Sequence, residues 1–588
     1  MSADVAGSLL RARRALDDLS PRISTEDWLW DDSIDRWCLA FTARLERPVE
    51  VPGVTRWVFT VSPDYPNCKV GIYPAVIGGI EDTHPHQSNN GIEGHGKYCR
   101  SGNVCLFTER AEWEMRGDSD FTLLSHAERF LEWLERANEG TLMKAGDRVE
   151  FPMQRIGCAG AVLYLEDDVS KMIWDSHPAS RDGVLETFEN HLGQTCLSSF
   201  RGADGNLAYS AGWGSAFGDN EIVSTGRGIW FIAPSIPHVR CWQSPNTYGE
   251  LREWAGKEGI DLDDVIARNA SGLRDGARHF LAIGVPCPDS VGEDSRSLSW
   301  FVAKMPRLAD EREFKGGGVH DRKVLKTVDR QKYLSSRVRV DWIDSVNCSR
   351  EQMHSRGGLC DELADSRIAI IGVGSLGSLV ADCLVRGGAT DLCVFDSDRF
   401  ELGNVTRHLL RSGDVGAGKA AAVATALNAT SPTAAVESGE KIDKDNAAAL
   451  RQFDIIIDCS SSPKVRSILD GLKGGQRLFV CSFGYAAERV YVSASILGSF
   501  SSEEYRKTFE GLMREDAEKI KEEGLPWEGT GCWSPVFPAR HSDVSRAASL
   551  AVDCIDRMME RKKVKANYAY VTKRDEDGFL LGVDRMEL

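Results

Sequence analysis

Residues 367–419 contain several residues that could act on a phosphate: three glycines, an acid, an amide and two cations. Gly372, Gly374 and Gly377 have G-x-G-x-x-G spacing, and Asp396 ends the next apolar run. Glycines allow a tight turn and a close approach of the backbone to phosphate, while the acid can bind a ribose. The pattern predicts a nucleotide-binding site without saying which nucleotide binds.

The residues that follow Asp396 favour a nucleoside triphosphate. Asn404, Arg407 and Lys419 come soon after the acid. A nicotinamide cofactor has no use for two cations at this place. A triphosphate attacked at its α-phosphorus does, because negative charge builds up on the phosphate oxygens.

The string FDSDRFELGNVTRH, residues 395–408, resembles the adenylation domain of ubiquitin-activating enzymes and their sulfur-carrier relatives. The resemblance implies a Rossmann-like, ThiF-type domain that binds ATP and adenylates the C-terminal glycine of a small protein. It implies that the three glycines cradle phosphate and that Asp396 holds the ribose. Asn404, Arg407 and Lys419 would act on the phosphates. An ordinary dinucleotide fold with surface charges is the alternative.

The expected magnesium ligand departs from the family pattern. The family usually has D-x-x-D-N after the next buried strand, where this chain reads DCSSS at residues 458–462. Asp458 matches the first acid, and Ser461 stands where the second would be. Mg²⁺ needs oxygen ligands, some of which ATP supplies. Asp458 is therefore predicted to bind the ATP–Mg²⁺ pair, and no residue is assigned as a dedicated metal ligand.

Cys532 lies in WEGTGCWSPVFPARHSDV, a Gly-, Pro- and Trp-rich segment that predicts a loop. A highly charged helix is expected before it at Glu503–Glu523, and another helix is expected to start near Ser542–Asp543. A thiol near a helix N-terminus can act as a nucleophile. GTGCWSP resembles the loop-cysteine site of bacterial activating enzymes, which implies that Cys532 takes the acyl group as a thioester. A packed thiol beside Trp533 is the alternative.

Cys105 lies in THPHQSNNGIEGHGKYCRSGNVCLFTERAEW, between YPNCKVGIYPAV and a helical pattern at 123–137. This order resembles ubiquitin-conjugating enzymes. The resemblance implies an α+β domain in which Cys105 receives the thioester and passes it to an amine. His84-Pro85 match the start of the family's His-Pro-Asn, but His86 occupies the third position and the gap to the cysteine is longer.

Several groups could replace the missing asparagine or compete with Cys105. The oxyanion contact could come from a backbone N–H or from one of three asparagines, Asn89, Asn90 and Asn103. Cys99 is a rival thiol. The alternatives are a His-rich loop with two incidental cysteines, or a metal site built from His84, His86, His95 and Cys99.

Composition limits the classes of protein and of site. A length of 588 residues predicts about three to four domains. A net charge of −17 argues against a nucleic-acid partner, since phosphate contacts need a basic face. No apolar run is long enough for a bilayer, and MSADVAGSLLRARR lacks a signal-peptide core, so we expect a cytoplasmic protein with reduced thiols. The sequence contains no C-x-x-C pair, which argues against a structural zinc.

Three domains are predicted to position these residues. Residues 1–150 form the conjugating-like module, 151–338 an α/β linker or scaffold, and 339–588 the adenylation domain, with Gly316–Gly318 near the second boundary. Arg356 precedes the first strand of the last domain, and the resemblance to activating enzymes makes it a candidate for reaching ATP in a partner subunit.

The linker carries no motif to which we can match a chemistry. Its expected strands are Ala159–Tyr164, Gly228–Ile232, His279–Ile283 and Leu298–Val302.

This order of modules resembles the fusion proteins of bacterial CBASS antiphage operons. The resemblance implies a homodimer that activates the C-terminal tail of a nucleotidyltransferase (CD-NTase) or of a ubiquitin-like protein. The acyl group would pass from Cys532 to Cys105 and then to target lysines. A sulfur-carrier adenylyltransferase would need only the last domain. A non-enzymatic nucleotide-binding scaffold would form no reducible adduct, and an oxidoreductase would not explain Arg407 and Lys419.

Overall fold

The computed structural model describes residues 6–91, 96–107, 110, 117–152, 154, 156–176, 181–190, 193–217, 222–295, 297–310, 322–528 and 534–588. The chain divides into two compact units, residues 1–211 with 224–347 and residues 212–223 with 348–588. In the described part of the chain, no helix combines the length and apolar character needed to cross a membrane.

The α-helices of the described residues are, in chain order, α1 Gly7–Ala15, α2 Ser119–Asn138, α3 Asp168–Ser176, α4 Tyr248–Lys257, α5 Leu262–Asn269, α6 Arg322–Val328, α7 Arg350–Met353, α8 Asp361–Ala364, α9 Ser375–Arg386, α10 Lys419–Asn428, α11 Pro463–Gly471, α12 Ser502–Glu523 and α13 His541–Glu560. Short 3₁₀ turns include Leu402–Arg407, which carries two of the candidate site residues.

The β-strands are β1 Ile23–Asp31, β2 Arg36–Arg44, β3 Val54–Val61, β4 Gly71–Pro74, β5 Ile156–Tyr164, β6 Asp182–Asn190, β7 Thr195–Gly202, β8 Leu207–Ser210, β9 Ile222–Ile232, β10 Phe280–Cys287, β11 Ser297–Lys304, β12 Asp341–Asn347, β13 Ile368–Ile371, β14 Asp391–Phe395, β15 Ala435–Gly439, β16 Ile455–Asp458, β17 Arg477–Phe483, β18 Arg489–Ile496, β19 Trp527–Glu528, β20 Ser534–Pro535, β21 Ala566–Arg574 and β22 Leu580–Glu587.

The N-terminal part of the first unit is an antiparallel meander of β1, β2, β3 and β4 packed against a helix. α2 starts where the Asp118 carboxylate accepts the N–H groups of Asp120 and Phe121, which satisfies two donors at the helix end. The apolar side of α2 packs on the sheet, where Phe130 meets Phe41 edge-on at 5.4 Å between ring centroids. The α+β fold and the helix expected at 123–137 are confirmed.

The second part of the first unit is an eight-stranded sheet in the order β5-β12-β11-β10-β9-β6-β7-β8. An additional pairing between β5 and β7 closes the sheet on itself. α4 and α5 contribute to the core on one face, while α3 packs with an aromatic cluster on the other. The four strands expected from the sequence overlap β5, β9, β10 and β11, and the α/β prediction is confirmed.

A buried acid, Glu166, lies within this aromatic cluster. Its carboxylate accepts hydrogen bonds from the indole N–H groups of Trp174 at 3.0 Å and Trp300 at 2.7 Å, and from the hydroxyl of Ser170 at 2.5 Å. The residue is 2% exposed. Burial raises the pKa of Glu166 to about 7, and the three hydrogen bonds oppose that rise. The carboxyl group therefore gains a proton near neutral pH inside the linker core.

We expect Glu166 to make the linker less stable as pH rises from its ordinary pKa of 4.5 to about 7. In that window the folded state binds more protons than the unfolded state, so raising pH costs up to about 3 kcal/mol of unfolding free energy. Glu166→Gln keeps an acceptor for the indoles but cannot titrate, and should flatten this dependence. Urea unfolding at pH 5 and pH 8 measures it. Glu253→Gln, on the exposed side of α4, should behave as wild type. An unchanged slope in Glu166→Gln would contradict the assignment.

The second unit is a doubly wound sheet. Five parallel strands take the order β15-β14-β13-β16-β17, and the antiparallel strands β18, β21 and β22 extend the sheet beyond β17. α9, α10 and α13 cover one face, and α11 and α12 cover the other. This is the predicted Rossmann-like architecture. The strand order reverses between β13 and β16, which is where open α/β sheets bind ligands at the carboxyl ends of the strands.

The charged helix expected before Cys532 is α12. It is anchored through one buried carboxylate, Asp516, which accepts hydrogen bonds from the Arg489 guanidinium at 2.6 Å and from the Tyr491 hydroxyl at 2.5 Å. Both donors lie on β18, in the sheet beneath the helix. A helix that is mostly polar is thereby fixed to the sheet.

Candidate functional site

The strand register of the second unit brings three predicted site residues to one edge. Ile371 pairs with Phe395 on one side and with Asp458 on the other. Gly372, which follows Ile371, and Asp396, which follows Phe395, therefore lie at the same carboxyl edge as Asp458. This edge is the point of strand-order reversal, so the sheet assembles the site from segments far apart in the sequence.

The glycine turn is shaped by close backbone contacts. Gly372 has φ of +83°, and a Cβ atom there would lie 2.5 Å from the Cα of Ser460. A Cβ atom at Gly377 would lie 1.9 Å from the carbonyl oxygen of Gly372. Gly374 is the N-cap residue of α9 and has open space where a Cβ would stand. Two glycines thus allow the tight turn, and the third leaves the helix start open to a ligand.

Asp396 is held by backbone N–H groups beside a cavity. One carboxylate oxygen accepts the N–H of Val373 at 3.0 Å, and the other accepts the N–H of Asp398 at 2.8 Å. The cavity has a volume of about 500 Å³ and is also lined by Ser438 and Lys441. The Asp396 carboxylate is therefore held at the edge of a cavity whose volume is in the range of small-ligand sites.

The amide and the two cations lie on the segments after β14. The side-chain oxygen of Asn404 accepts the N–H of Glu401 at 3.2 Å. Arg407 donates to the carbonyl of Phe537, while its buried Nε finds no acceptor among the described residues. Lys419 is the first residue of α10, and its ammonium lies 3.3 Å from Asp398. An unpaired guanidinium donor in a buried position fits an incoming anion.

Asp458 has one side-chain oxygen that the described residues leave without a hydrogen-bond partner. Its Oδ1 atom accepts the N–H and the hydroxyl of Ser460 at 2.9 and 2.6 Å, while Oδ2 is buried with no partner in the described structure. Burial raises the pKa of this carboxyl group above its usual range. An acid desolvated in this way gains most from a cation, so Asp458 fits a magnesium ligand. No cluster of three or more candidate metal-binding side chains occurs among the described residues.

Cys532 lies outside the described residues, but its flanking segments are described. β19 pairs with β20 through Trp527 and Pro535. The ring of Phe537 packs against those of Phe483 at 5.7 Å and Tyr485 at 6.0 Å. The carbonyl of Phe537 also accepts the Arg407 guanidinium. The chain just after Cys532 is therefore docked against one of the residues predicted to act on phosphate.

The helix after Cys532 begins slightly earlier than the sequence predicts. α13 starts at His541, and its N-cap is Arg540 rather than Ser542 or Asp543. Asp543 accepts the Arg540 N–H at 3.3 Å from the third helical position. The Asp543 carboxylate thus satisfies the Arg540 N–H, while the Asp543 N–H donates to the Arg540 carbonyl at 3.1 Å.

Cys105 is the accessible thiol of the N-terminal module. It is exposed and borders a cavity of about 330 Å³, lined in part by His86, Trp133 and Arg136. Cys99 is buried, and burial raises its pKa to about 12. A nucleophile must reach its substrate as a thiolate, so Cys99 is a poor competitor.

Two of the three asparagines suggested for the oxyanion role have side chains that hydrogen-bond within the fold, Asn90 and Asn103. Asn90 donates to the carbonyls of Ile80 and Asp82. Asn103 accepts the N–H of Ile72 at 3.0 Å. The amide nitrogen of Asn89 is buried and lacks a partner within the described part of the chain. Of the suggested metal ligands, His84 is buried edge-on against Trp133, and His95 lies outside the described residues.

His86 has a carboxylate partner that no sequence motif indicates. The Glu150 carboxylate accepts the backbone N–H of His86 at 3.0 Å and lies 2.7 Å from the ring Nδ1. The carbonyl of His86 accepts the N–H of Cys105 at 2.8 Å. Glu150 is far from both residues in sequence and belongs to no motif, so only the packing of the chain reveals the contact.

Comparison with known proteins places two domains. Residues 140–348 match the family described as the Cap2 central linker domain, and residues 349–482 match the ThiF family. The ATP-dependent ubiquitin transferase-like protein Cap2 of Enterobacter hormaechei subsp. hoffmannii (strain UCI 50) is 27% identical over 574 residues, which is 94% of this chain and 94% of that protein.

Other relatives match shorter stretches of the chain. Ubiquitin-like modifier-activating enzyme 5 of Drosophila erecta is 33% identical over 124 residues, 21% of this chain and 29% of that protein. The solved structure of E. coli MccB with succinimide aligns at 15% identity and a TM-score of 0.29, over 39% of this chain and 64% of that one. The chain thus contains a Cap2 central linker domain followed by a ThiF-family domain, and it resembles Cap2 along nearly its whole length.

Proposed function

We propose that this protein is an ATP-dependent ligase that combines activation and conjugation of a partner protein's C-terminal glycine. The proposal rests on the arrangement of residues at the carboxyl edge of the sheet in the ThiF-family domain. There Ile371 pairs with Phe395 and with Asp458, so that Gly372 and Asp396, which follow the first two, lie at the same edge as Asp458. Arg407 and Asp458 each have a buried polar atom without a partner among the described residues. The Enterobacter relative is named an ATP-dependent ubiquitin transferase-like protein, which supports the same reaction class.

The first step is adenylation at this edge. The backbone at Gly372–Gly377 and the start of α9 bind phosphate, and Asp396 holds the ribose at the mouth of the adjoining cavity. A carboxylate oxygen of the partner's C-terminus attacks the α-phosphorus, and the bond to the bridging oxygen of pyrophosphate breaks. Asn404, Arg407 and Lys419 bind the phosphates and balance the charge that develops. Bound magnesium would neutralise phosphate charge, with Asp458 as its protein ligand.

The second and third steps are thioester transfers. The Cys532 thiolate attacks the acyl carbon and AMP leaves, which forms a thioester. The Cys105 thiolate then attacks that thioester and the Cys532 thiolate leaves. A target lysine finally takes the acyl group from Cys105. We propose the tail of a CD-NTase or of a ubiquitin-like protein as the activated partner, and a cytoplasmic homodimer acting in antiphage defence as the setting.

Nucleotide binding and adduct formation test the proposal together. The full-length protein with Mg²⁺ should bind ATP and not NAD by calorimetry. Incubated with Mg²⁺-ATP and lysate of the native host, it should form an adduct that survives a non-reducing gel and disappears on reduction. Binding of NAD without ATP would overturn the proposal in favour of an oxidoreductase. ATP–pyrophosphate exchange without any thiol-labile adduct would favour a sulfur-carrier-type adenylyltransferase.

A further inference from the structure

We propose that His86 accepts the proton of the attacking amine at the Cys105 thioester, and that Glu150 of the linker domain positions it for this step. The proposal rests on the acyl-transfer function above. His86 occupies the position of the asparagine in the His-Pro-Asn motif of ubiquitin-conjugating enzymes and, unlike asparagine, can take up a proton. The proposal also gives the linker domain a part in the conjugation site, because Glu150 falls within residues 140–348.

The contacts of His86 fix it next to Cys105. Its carbonyl accepts the Cys105 N–H, and both residues border the same cavity of about 330 Å³. The neighbouring backbone is held in place as well, since the Trp133 indole donates to the carbonyl of Pro85 at 3.1 Å and Gln87 accepts the N–H of His84 at 3.0 Å. An imidazole on such a rigid segment can act repeatedly on one reacting atom.

Glu150 fixes both the backbone and the ring of His86. His86 has φ of +59°, an unusual conformation for a residue with a side chain, and its N–H donates to both Glu150 oxygens. The contact of Nδ1 with the carboxylate favours the tautomer with hydrogen on Nδ1. In the neutral ring this leaves the lone pair on Nε2, which is the atom a base needs.

The linker domain holds Glu150 in place through its backbone. The N–H of Val149 donates to the carbonyl of Asp289 at 3.2 Å, and Arg148 pairs with Ser290 in an isolated antiparallel bridge. The N–H of Val291 donates to the carbonyl of Asp147 at 2.8 Å. The carboxylate is thus presented from a segment that is tied to the linker domain.

The charges around His86 suit a base that works near neutral pH. The hydrogen bond that the His86 ring donates to Glu150 raises the pKa of His86 above its usual value. Burial and Arg136 oppose this rise in pKa, and the Leu142 carbonyl adds to it. Arg129 and Glu132 line the same cavity and form an ion pair at 2.7 Å. A base whose pKa lies near the working pH is the most effective one.

The proposed step conserves protons and electron pairs. The amine nitrogen attacks the thioester carbonyl carbon, the C–N bond forms, and the C–S bond breaks to release the Cys105 thiolate. The proton lost by the nitrogen goes to Nε2 of His86. The imidazolium then returns this proton to the thiolate or to water, which restores both groups for the next cycle.

Discharge of a preformed thioester isolates this step from activation. The full-length Cys532→Ala protein is loaded on Cys105 with a glycine-terminated peptide thioester of mercaptoethanesulfonate, without ATP. Free lysine is then added at pH 6 to 9, and loss of the adduct is followed by mass spectrometry. We compare the wild-type His86 with His86→Asn, because asparagine tolerates a positive φ and keeps a donor for Glu150. Glu150→Gln is the second variant, and Glu128→Gln, at an exposed position of α2 that does not line the cavity, is the matched control.

We expect His86→Asn to load normally, to discharge about 100-fold more slowly and to lose the inflection in the pH profile. Glu150→Gln should move the inflection to lower pH, because the raised pKa of His86 depends on the charge of Glu150. Glu128→Gln should keep the wild-type profile. Normal loading with unchanged discharge and an unchanged profile in His86→Asn would overturn the role of His86. If Cys105 takes no acyl group even with His86 intact, both this inference and the proposed function fail. Loading of Cys105 therefore tests the proposed function, and discharge after normal loading tests the role of His86 alone.

Discussion

Cys105→Ala is expected to abolish ligation to lysine while leaving adenylation and the Cys532 thioester intact. The residues that bind ATP in our proposal belong to the second compact unit, and Cys105 belongs to the first. Removing its thiol therefore stops transfer after the acyl group has been activated. The adduct should accumulate on Cys532 in this variant. Non-reducing gels, with and without ATP, measure the adduct, and tryptic mass spectrometry locates it.

Two further variants make this result specific. Cys532→Ala should form neither thioester from ATP. Cys241→Ala removes another exposed thiol of the same unit and should ligate as wild type does. Ligation at the wild-type rate in Cys105→Ala would sink the assignment of Cys105. An adduct that reaches Cys105 in Cys532→Ala would instead show direct transfer from the adenylate.

Arg407→Gln is expected to lower ATP–pyrophosphate exchange by about 10²- to 10³-fold, because a fixed donor near the developing phosphate charge is lost. The structure gives this residue a buried Nε without a partner in the described residues, where a phosphate oxygen would complete its hydrogen bonding. Glutamine keeps a donor for the Phe537 carbonyl but carries no charge. Exchange is measured with the partner protein recovered from the Cys532 adduct.

Arg451→Gln is the matched control for charge. Arg451 belongs to the same unit, is exposed outside the cavity beside Asp396, and donates to the carbonyl of Lys473 at 2.8 Å. Its loss should leave exchange close to wild type. Thermal unfolding of both variants shows whether the fold is kept. Equal exchange in Arg407→Gln and Arg451→Gln, with both folded, would exclude Arg407 from the phosphate site.

The local parts of the nucleotide site were predictable from the sequence. The strand at Ile368–Ile371, the glycine turn, α9 and the strand before Asp396 form one contiguous unit. Apolar periodicity and glycine spacing encode such a unit directly, because each contact joins residues close in the chain. The helix after Cys105 would not need tertiary information either, since α2 has a regular apolar face and a capping aspartate.

Only the tertiary structure decided how the distant pieces meet. The pairing of Ile371 with Asp458 sets which acid lies beside the glycine turn, and sheet register is not written in either strand alone. Burial distinguishes Cys99 from Cys105, although the two thiols are near neighbours in sequence. The linker offered no motif, yet packing brings its Glu150 to His86 and surrounds its Glu166 with indoles.

The sequence by itself therefore predicted the kinds of domain, their order and the candidate site residues. Local rules suffice for these, because a turn, a cap or an amphipathic helix depends on a few adjacent side chains. The tertiary structure decided which candidates are accessible, which polar atoms remain unpaired, and which carboxylate orients His86. These properties depend on long-range packing, because solvent exposure and hydrogen-bond partners are set by segments that the chain brings together only on folding.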